Sequence, residues 1–167
     1  MKLPAIFLIA AFSLFAAGEY SNRRAPGFSL SDSHFQQHDT QDYRGKVLII
    51  EFMQTTCPVC QRLADTLLQV KAKYGDRIGV MSILTLPDNF QTVEKFATDR
   101  KIPWPMVFDS GQVMISYLKV TPVNPKVEFP HVFLIDGKGT IRNDFGPAEE
   151  AALNVAGLSA EIDKLLK

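Results

Sequence analysis

The chain is 167 residues long, enough for one domain of ordinary size with its own core. Hydrophobic residues make up 46% and charged residues 22%, the balance of a globular protein that folds in water. Lys and Arg number 18, as do Asp and Glu, so the charge balance gives no basis for nucleic-acid or polyanion binding.

Residues 1–18 read as a secretory signal peptide: Lys2 near the start, an apolar run over residues 6–17 broken only by Ser13, and Ala16 and Gly18 at a small-residue boundary. An uncleaved N-terminal anchor is the competing reading, although the run is short for a membrane span. Either places the domain in a periplasmic or otherwise exported space, where disulfides persist. Residues 19–24 are a polar leader, and residues 25–167 form a single domain.

In chain order, residues 25–30 (APGFSL) open the fold as a short strand, with residues 35–38 available to pair with it as a hairpin. Residues 47–53 (VLIIEFM) are nearly continuously apolar, as in a strand covered on both faces. From Pro58 to about Tyr74 the spacing predicts a helix that buries Cys60, Leu63, Ala64, Leu67 and Tyr74 and is ended by Gly75-Asp76. Residues 78–84 are the next strand and residues 89–100 a second helix. Pro103 and Pro105 precede a short strand at 106–108, followed by a helix over 111–118 and a Pro-containing loop over 121–128. Residues 131–136 and 140–145 flank the turn Gly137-Lys138-Gly139 as a hairpin. A last helix over 148–166 is expected to break near Gly157. Alternating strands and helices, then a hairpin and helix, imply an α/β domain with a mixed central sheet covered on both faces.

The chemistry is concentrated in Cys57-Pro58-Val59-Cys60, which holds both cysteines of the chain. A strand delivers them to a helix N-terminus, where unpaired N–H groups and the positive end of the dipole favour a thiolate at Cys57. Such a position lowers a thiol from about 8.5 towards a range of roughly 3.5–7.5. The i, i+3 spacing lets the two sulfurs bridge. So short a loop makes a poor structural staple, which points to a redox dithiol.

An ordered set of motifs now carries a resemblance: Ala25-Pro26-Gly27-Phe28, Tyr43-Arg44-Gly45-Lys46, Cys57-Pro58-Val59-Cys60, and Phe129-Pro130-His131-Val132-Phe133-Leu134-Ile135-Asp136. Over residues 25–166 the chain resembles the thioredoxin-like thiol–disulfide oxidoreductases, in particular the exported TlpA/ResA-type branch related to the AhpC/TSA group. The resemblance implies a thioredoxin fold with an inserted helix–strand segment over residues 89–118. It implies that Cys57 is the nucleophile and Cys60 the buried resolving cysteine. Pro130 is then the cis-proline beside them and Glu51 the family's buried acid. Thr56, Pro58, Phe129 and Pro130 are the implied substrate-contacting rim. The implied partners are protein thiols and disulfides and an upstream membrane thiol–disulfide electron donor, with the enzyme a monomer. No cofactor is needed, since the sulfurs hold the electrons, and no metal is assigned.

The chain departs from this pattern around the site. Thr56 replaces the aromatic usual before the first cysteine, and the only tryptophan, Trp104, lies far away in sequence. The proline within the motif takes the first intervening position, the loop before Phe129 is long, and Phe129 is bulky. Rival readings use the same residues. A copper-binding chaperone on this scaffold would use the cysteines with a histidine such as His131, but its usual cysteine spacing is one residue longer. Cys57 and Cys60 with His34 and His38 make a zinc set on paper. A peroxiredoxin-like peroxidase needs Thr three residues before its cysteine, where Gln54 stands. Glu51 is either a strand-end residue reaching solvent or a buried acid of raised pKa able to exchange a proton with Cys60. Thr55 and Thr56 read as helix-cap and turn residues. His131 is a plain strand residue or a neighbour that influences the thiolate.

Overall fold

Residues 18–167 are described in the computed structural model. The proposed signal segment therefore lies, except for Gly18, outside the described residues.

The two apolar runs form the parallel centre of the sheet. Strands β4 (Val47–Met53) and β5 (Ile78–Leu84) pair in register from Val47–Ile78 to Met53–Leu84, and every residue of both is buried. Including β1 (Arg23–Arg24), β6 (Met106–Phe108), β7 (His131–Ile135) and β8 (Thr140–Phe145), the sheet runs β1-β8-β7-β4-β5-β6. The β4–β5 and β5–β6 pairs are parallel, and the β4–β7, β7–β8 and β1–β8 pairs antiparallel. A separate hairpin joins β2 (Ser29–Ser31) to β3 (Gln37–Asp39), as the sequence predicts, and bridges to the sheet through Asp32 and Val107.

Strand alternation divides the core. Val47 and Ile49 pack with Leu63, Leu67, Val70 and Tyr74 of α1 (Pro58–Tyr74) and Leu158 and Ile162 of α4 (Val155–Leu165). Met53, on the same face, packs with Cys60 and with Val93 and Phe96 of α2 (Phe90–Arg100). On the opposite face Leu48, Ile50 and Phe52 meet Phe133 and, from α3 (Gln112–Leu118), Tyr117 and Leu118. Each fully buried aliphatic or aromatic side chain adds about 1.5–3 kcal/mol of hydrophobic stabilisation.

Helix α1 ends where predicted: Gly75 adopts φ 56°, a conformation that side-chain-bearing residues disfavour. Two expectations are revised. The polar leader contributes β1, because Arg23 and Arg24 pair by backbone with Ile141 and Thr140 regardless of their side chains. The last helix is interrupted before Gly157 and not at it. A 3₁₀ turn at Pro147–Glu149 gives way to a bend, and Asn154 caps α4 by accepting from Gly157 N–H at 2.9 Å. Gly157 sits inside α4 because a Cβ there would lie 2.7 Å from the Ala152 carbonyl oxygen, so close approach requires glycine.

Candidate active site

Strand β4 ends at Met53, and a three-residue turn leads into α1. That turn is clamped from the β5–α2 connection. Asp88, which is buried, accepts from the Thr55 backbone N–H at 2.8 Å and from the Thr55 hydroxyl, and lies 3.0 Å from the Thr92 hydroxyl. The Gln61 side chain donates to the Thr55 carbonyl at 2.8 Å, closing the turn from the helix side. The N-cap of α1 is neither Thr55 nor Thr56 but Cys57 itself, whose Sγ accepts from Cys60 N–H at 3.2 Å. Pro58 takes the first helical position, where its missing N–H costs nothing.

Cys57 and Cys60 are disulfide-bonded, with their Cα atoms 5.2 Å apart. Cys57 is half-buried, while Cys60 has no exposed surface. Thr56 and Pro58 are exposed on either side of Cys57. The facing wall is the start of β7. The Phe129–Pro130 peptide is cis, Pro130 is buried, and the Phe129 carbonyl oxygen lies 3.9 Å from Cys57 Sγ.

Glu51 lies on β4 between Ile49 and Met53 and shares their face, the one covered by α1. It is 0% exposed, so the strand-end reading does not hold. Oε2 accepts from the Ser82 hydroxyl at 2.9 Å, and Oε1 has no partner. Burial pushes its carboxyl up to about 8, with the Ser82 hydroxyl pulling the other way. Ser82 in turn accepts from Trp104 Nε1–H at 3.0 Å.

The histidines are engaged elsewhere. His131 Nε2 lies 3.1 Å from Asp144 Oδ2, and its ring packs against Phe133 and Tyr20 on the opposite face of the sheet from Glu51. His38 Nε2 is 2.8 Å from Asp32 Oδ2, and His34 lies 3.6 Å from Glu94. Among the described residues no three His, Cys, Asp or Glu side chains cluster as a metal site requires.

The AhpC/TSA family profile matches residues 22–144. The chain belongs to the AhpC/TSA family. This AhpC/TSA protein is 23% identical over 143 residues to the thioredoxin-like protein YneN of Bacillus subtilis (strain 168), covering 81% of this chain and 77% of YneN. It is 29% identical over 118 residues to the thiol-disulfide oxidoreductase ResA of Geobacillus thermodenitrificans (strain NG80-2), covering 71% of this chain and 64% of ResA. Its fold matches the crystal structure of a thiol:disulfide interchange protein of the thioredoxin family from Chlorobium tepidum TLS. The TM-score is 0.74 at 19% identity, covering 87% of this chain and 97% of that one. The AhpC/TSA chain is thus a thiol–disulfide oxidoreductase of thioredoxin fold, with one CxxC pair.

Within this AhpC/TSA protein the structure brings Thr56, Cys57, Pro58, Cys60, Phe129 and Pro130 to one end of the sheet, and Glu51 beneath the helix that carries the cysteines. Three contributors escaped the sequence: Asp88, Ser82 and Trp104. Ser82 had a signal, as a lone hydroxyl in an apolar strand beside an acid-bearing one. Asp88 and Trp104 had none, because both reach the site from loops.

Proposed function

We propose that this protein is an exported reductase that passes two electrons from its Cys57–Cys60 dithiol to disulfides of protein substrates. Cys57 thiolate attacks a substrate disulfide, forms a mixed disulfide and releases one substrate thiolate, which takes a proton from water. Cys60 then attacks Cys57 Sγ, gives its thiol proton to the Glu51 carboxylate and frees the second substrate thiolate. An upstream dithiol, held by a membrane protein, attacks Cys57 of the oxidised enzyme. Cys60 leaves as thiolate and recovers the proton from neutral Glu51. The donor's second thiol then attacks the donor sulfur of the mixed disulfide, releasing Cys57 as thiolate and leaving the donor as a disulfide. Thr56, Pro58, Phe129 and Pro130 form the rim against which extended substrate backbone lies. Export rests on the charged, apolar and small-residue pattern of residues 1–18.

The observation that carries the direction is the sparse support of the nucleophile. Among the described residues Cys57 Sγ has one hydrogen-bond donor, Cys60 N–H, and no Lys, Arg or His side chain hydrogen-bonds to it. An oxidant needs a strongly stabilised thiolate, whereas a helix N-terminus with one N–H gives moderate stabilisation. Equilibration with glutathione is expected to place the couple nearer about −270 mV than about −120 mV. In insulin reduction driven by a dithiol donor, Cys57→Ser is expected to be inactive and Cys60→Ser to accumulate mixed disulfides. A potential near the upper value removes the reductase assignment, and activity retained in Cys57→Ser removes the nucleophile.

A further inference from the structure

Glu51 is a carboxyl with two inequivalent oxygens. Oε2 receives the Ser82 hydroxyl at 2.9 Å, while Oε1 is buried without a partner. The asymmetry has a cause one residue further out. An indole N–H can only donate, so Trp104 Nε1–H occupies a lone pair of Ser82 Oγ at 3.0 Å. Ser82 Oγ keeps its own proton, so when Glu51 is ionised Ser82 donates to Oε2 while Trp104 holds the hydroxyl in place from behind.

The setting leaves little else to orient or charge this group. Ser82 is 1% exposed and Trp104 6% exposed, so water does not compete for either. The β5 and β7 residues that flank Glu51 in the sheet are Ser82 and Val132. Over the same face α1 contributes Cys60, Leu63, Ala64 and Leu67, of which only Cys60 titrates, and then only when reduced. His131 and its partner Asp144 do not enter, since His131 registers with Phe52 and belongs to the other face.

We propose that Ser82 and Trp104 are positioning residues that hold the ionised Glu51 carboxylate through a two-step hydrogen-bond chain and so set the pH at which it can take a proton from Cys60. The inference rests on the role assigned to Glu51 above. Ser82 donates to the Glu51 anion, which favours the ionised form and keeps Glu51 acidic enough to act as a base near neutral pH. The sole tryptophan of the chain serves the site through its N–H, although it lies far from the cysteines in sequence.

The test uses the full oxidised chain labelled with carboxyl-¹³C glutamate, with the Glu51 signal assigned by its absence in Glu51→Gln. Ser82→Ala is expected to raise the half-titration pH by about one unit, and Ser82→Thr, which keeps the donor, to restore it. Trp104→Phe should move it the same way by less, since Ser82 can still donate but is no longer held. In the reduced enzyme the pH inflection of the Cys60 resolving step should move in parallel, making that step about tenfold slower at pH 7 in Ser82→Ala. An unmoved carbon titration in Ser82→Ala overturns the relay. If that variant does not fold, an unmoved titration in Trp104→Phe does so. Failure of the underlying role is read separately: Glu51→Gln would leave the kinetic inflection in place while the ¹³C shifts of the Ser82 variants remained.

Discussion

Glu51 is fully buried, and its only hydrogen-bond partner among the described residues is the Ser82 hydroxyl. Its carboxyl is raised from 4.5 to about 8, chiefly by burial. Between those values the folded chain binds a proton that the unfolded chain has released. Linkage then requires stability to fall as pH rises through this window. The contribution is fully present below about 4.5 and lost above about 8. The total is on the order of 4–5 kcal/mol. Glu51→Gln preserves the shape and cannot ionise. Urea unfolding of the oxidised protein at pH 5 and pH 9 is expected to show a steep loss for the parent and a shallow one for Glu51→Gln, leaving the variant the more stable at the alkaline end. Equal pH slopes would mean that Glu51 finds solvent or a cation when ionised.

Helix α1 depends on a clamp that its own sequence does not contain. Asp88 holds the Thr55 N–H and hydroxyl just before Cys57, and the Gln54 side chain donates to the Leu86 carbonyl at 3.2 Å in the same connection. Asp88→Ala leaves a buried N–H and hydroxyl without their acceptor, at about 2–3 kcal/mol of stability. Because the turn sets the cap, Cys57 should also change. In the reduced parent, iodoacetamide is expected to modify half-buried Cys57 well before fully buried Cys60; in Asp88→Ala that preference should narrow. Equal preference in both proteins would confine Asp88 to stability.

The elements show why some of this was legible. The β4–CxxC–α1 unit is local: an apolar strand, a proline at the first helical position and helical spacing all lie within 28 consecutive residues, 47–74. The hairpin at 131–145 was legible for the same reason. Position 157 misled because glycine there answers to packing against Ala151 and Ala152, a contact invisible to propensity. The hydrogen-bonded pairs Ser82–Trp104, Glu51–Ser82 and Thr55–Asp88 join residues 22 to 33 positions apart in sequence. No local pattern encodes such pairs.

At the scale of the whole molecule, the segment before the first motif closes the sheet. Asn22 N–H donates to the Ile141 carbonyl at 2.8 Å, and Ala25 N–H to the Gly139 carbonyl at 2.9 Å. Tyr20 N–H donates to the Asp144 carboxylate at 3.0 Å, and the Tyr20 ring packs 5.6 Å from that of His131. Arg23 reaches across to the Tyr117 carbonyl on α3, tying the first strand to the helix over that face. A cut after Gly18 would retain every one of these contacts, whereas a chain beginning at Ala25 would lose all but its own N–H bond to Gly139. Losing the Asn22 and Tyr20 backbone N–H bonds, the Arg23 side-chain bond and one partly buried aromatic ring amounts to roughly 3–5 kcal/mol. For a domain of this size that is a fall of roughly 10 °C in Tm. Thermal unfolding of chains beginning at Glu19 and at Ala25 is therefore expected to separate them by that margin. The dithiol potential should stay unchanged, because β1 lies at the sheet edge three strands from β4. Equal melting would reduce residues 19–24 to the leader that their polarity suggests, and a shifted potential would mean that the edge strand holds the Phe129–Pro130 wall against Cys57.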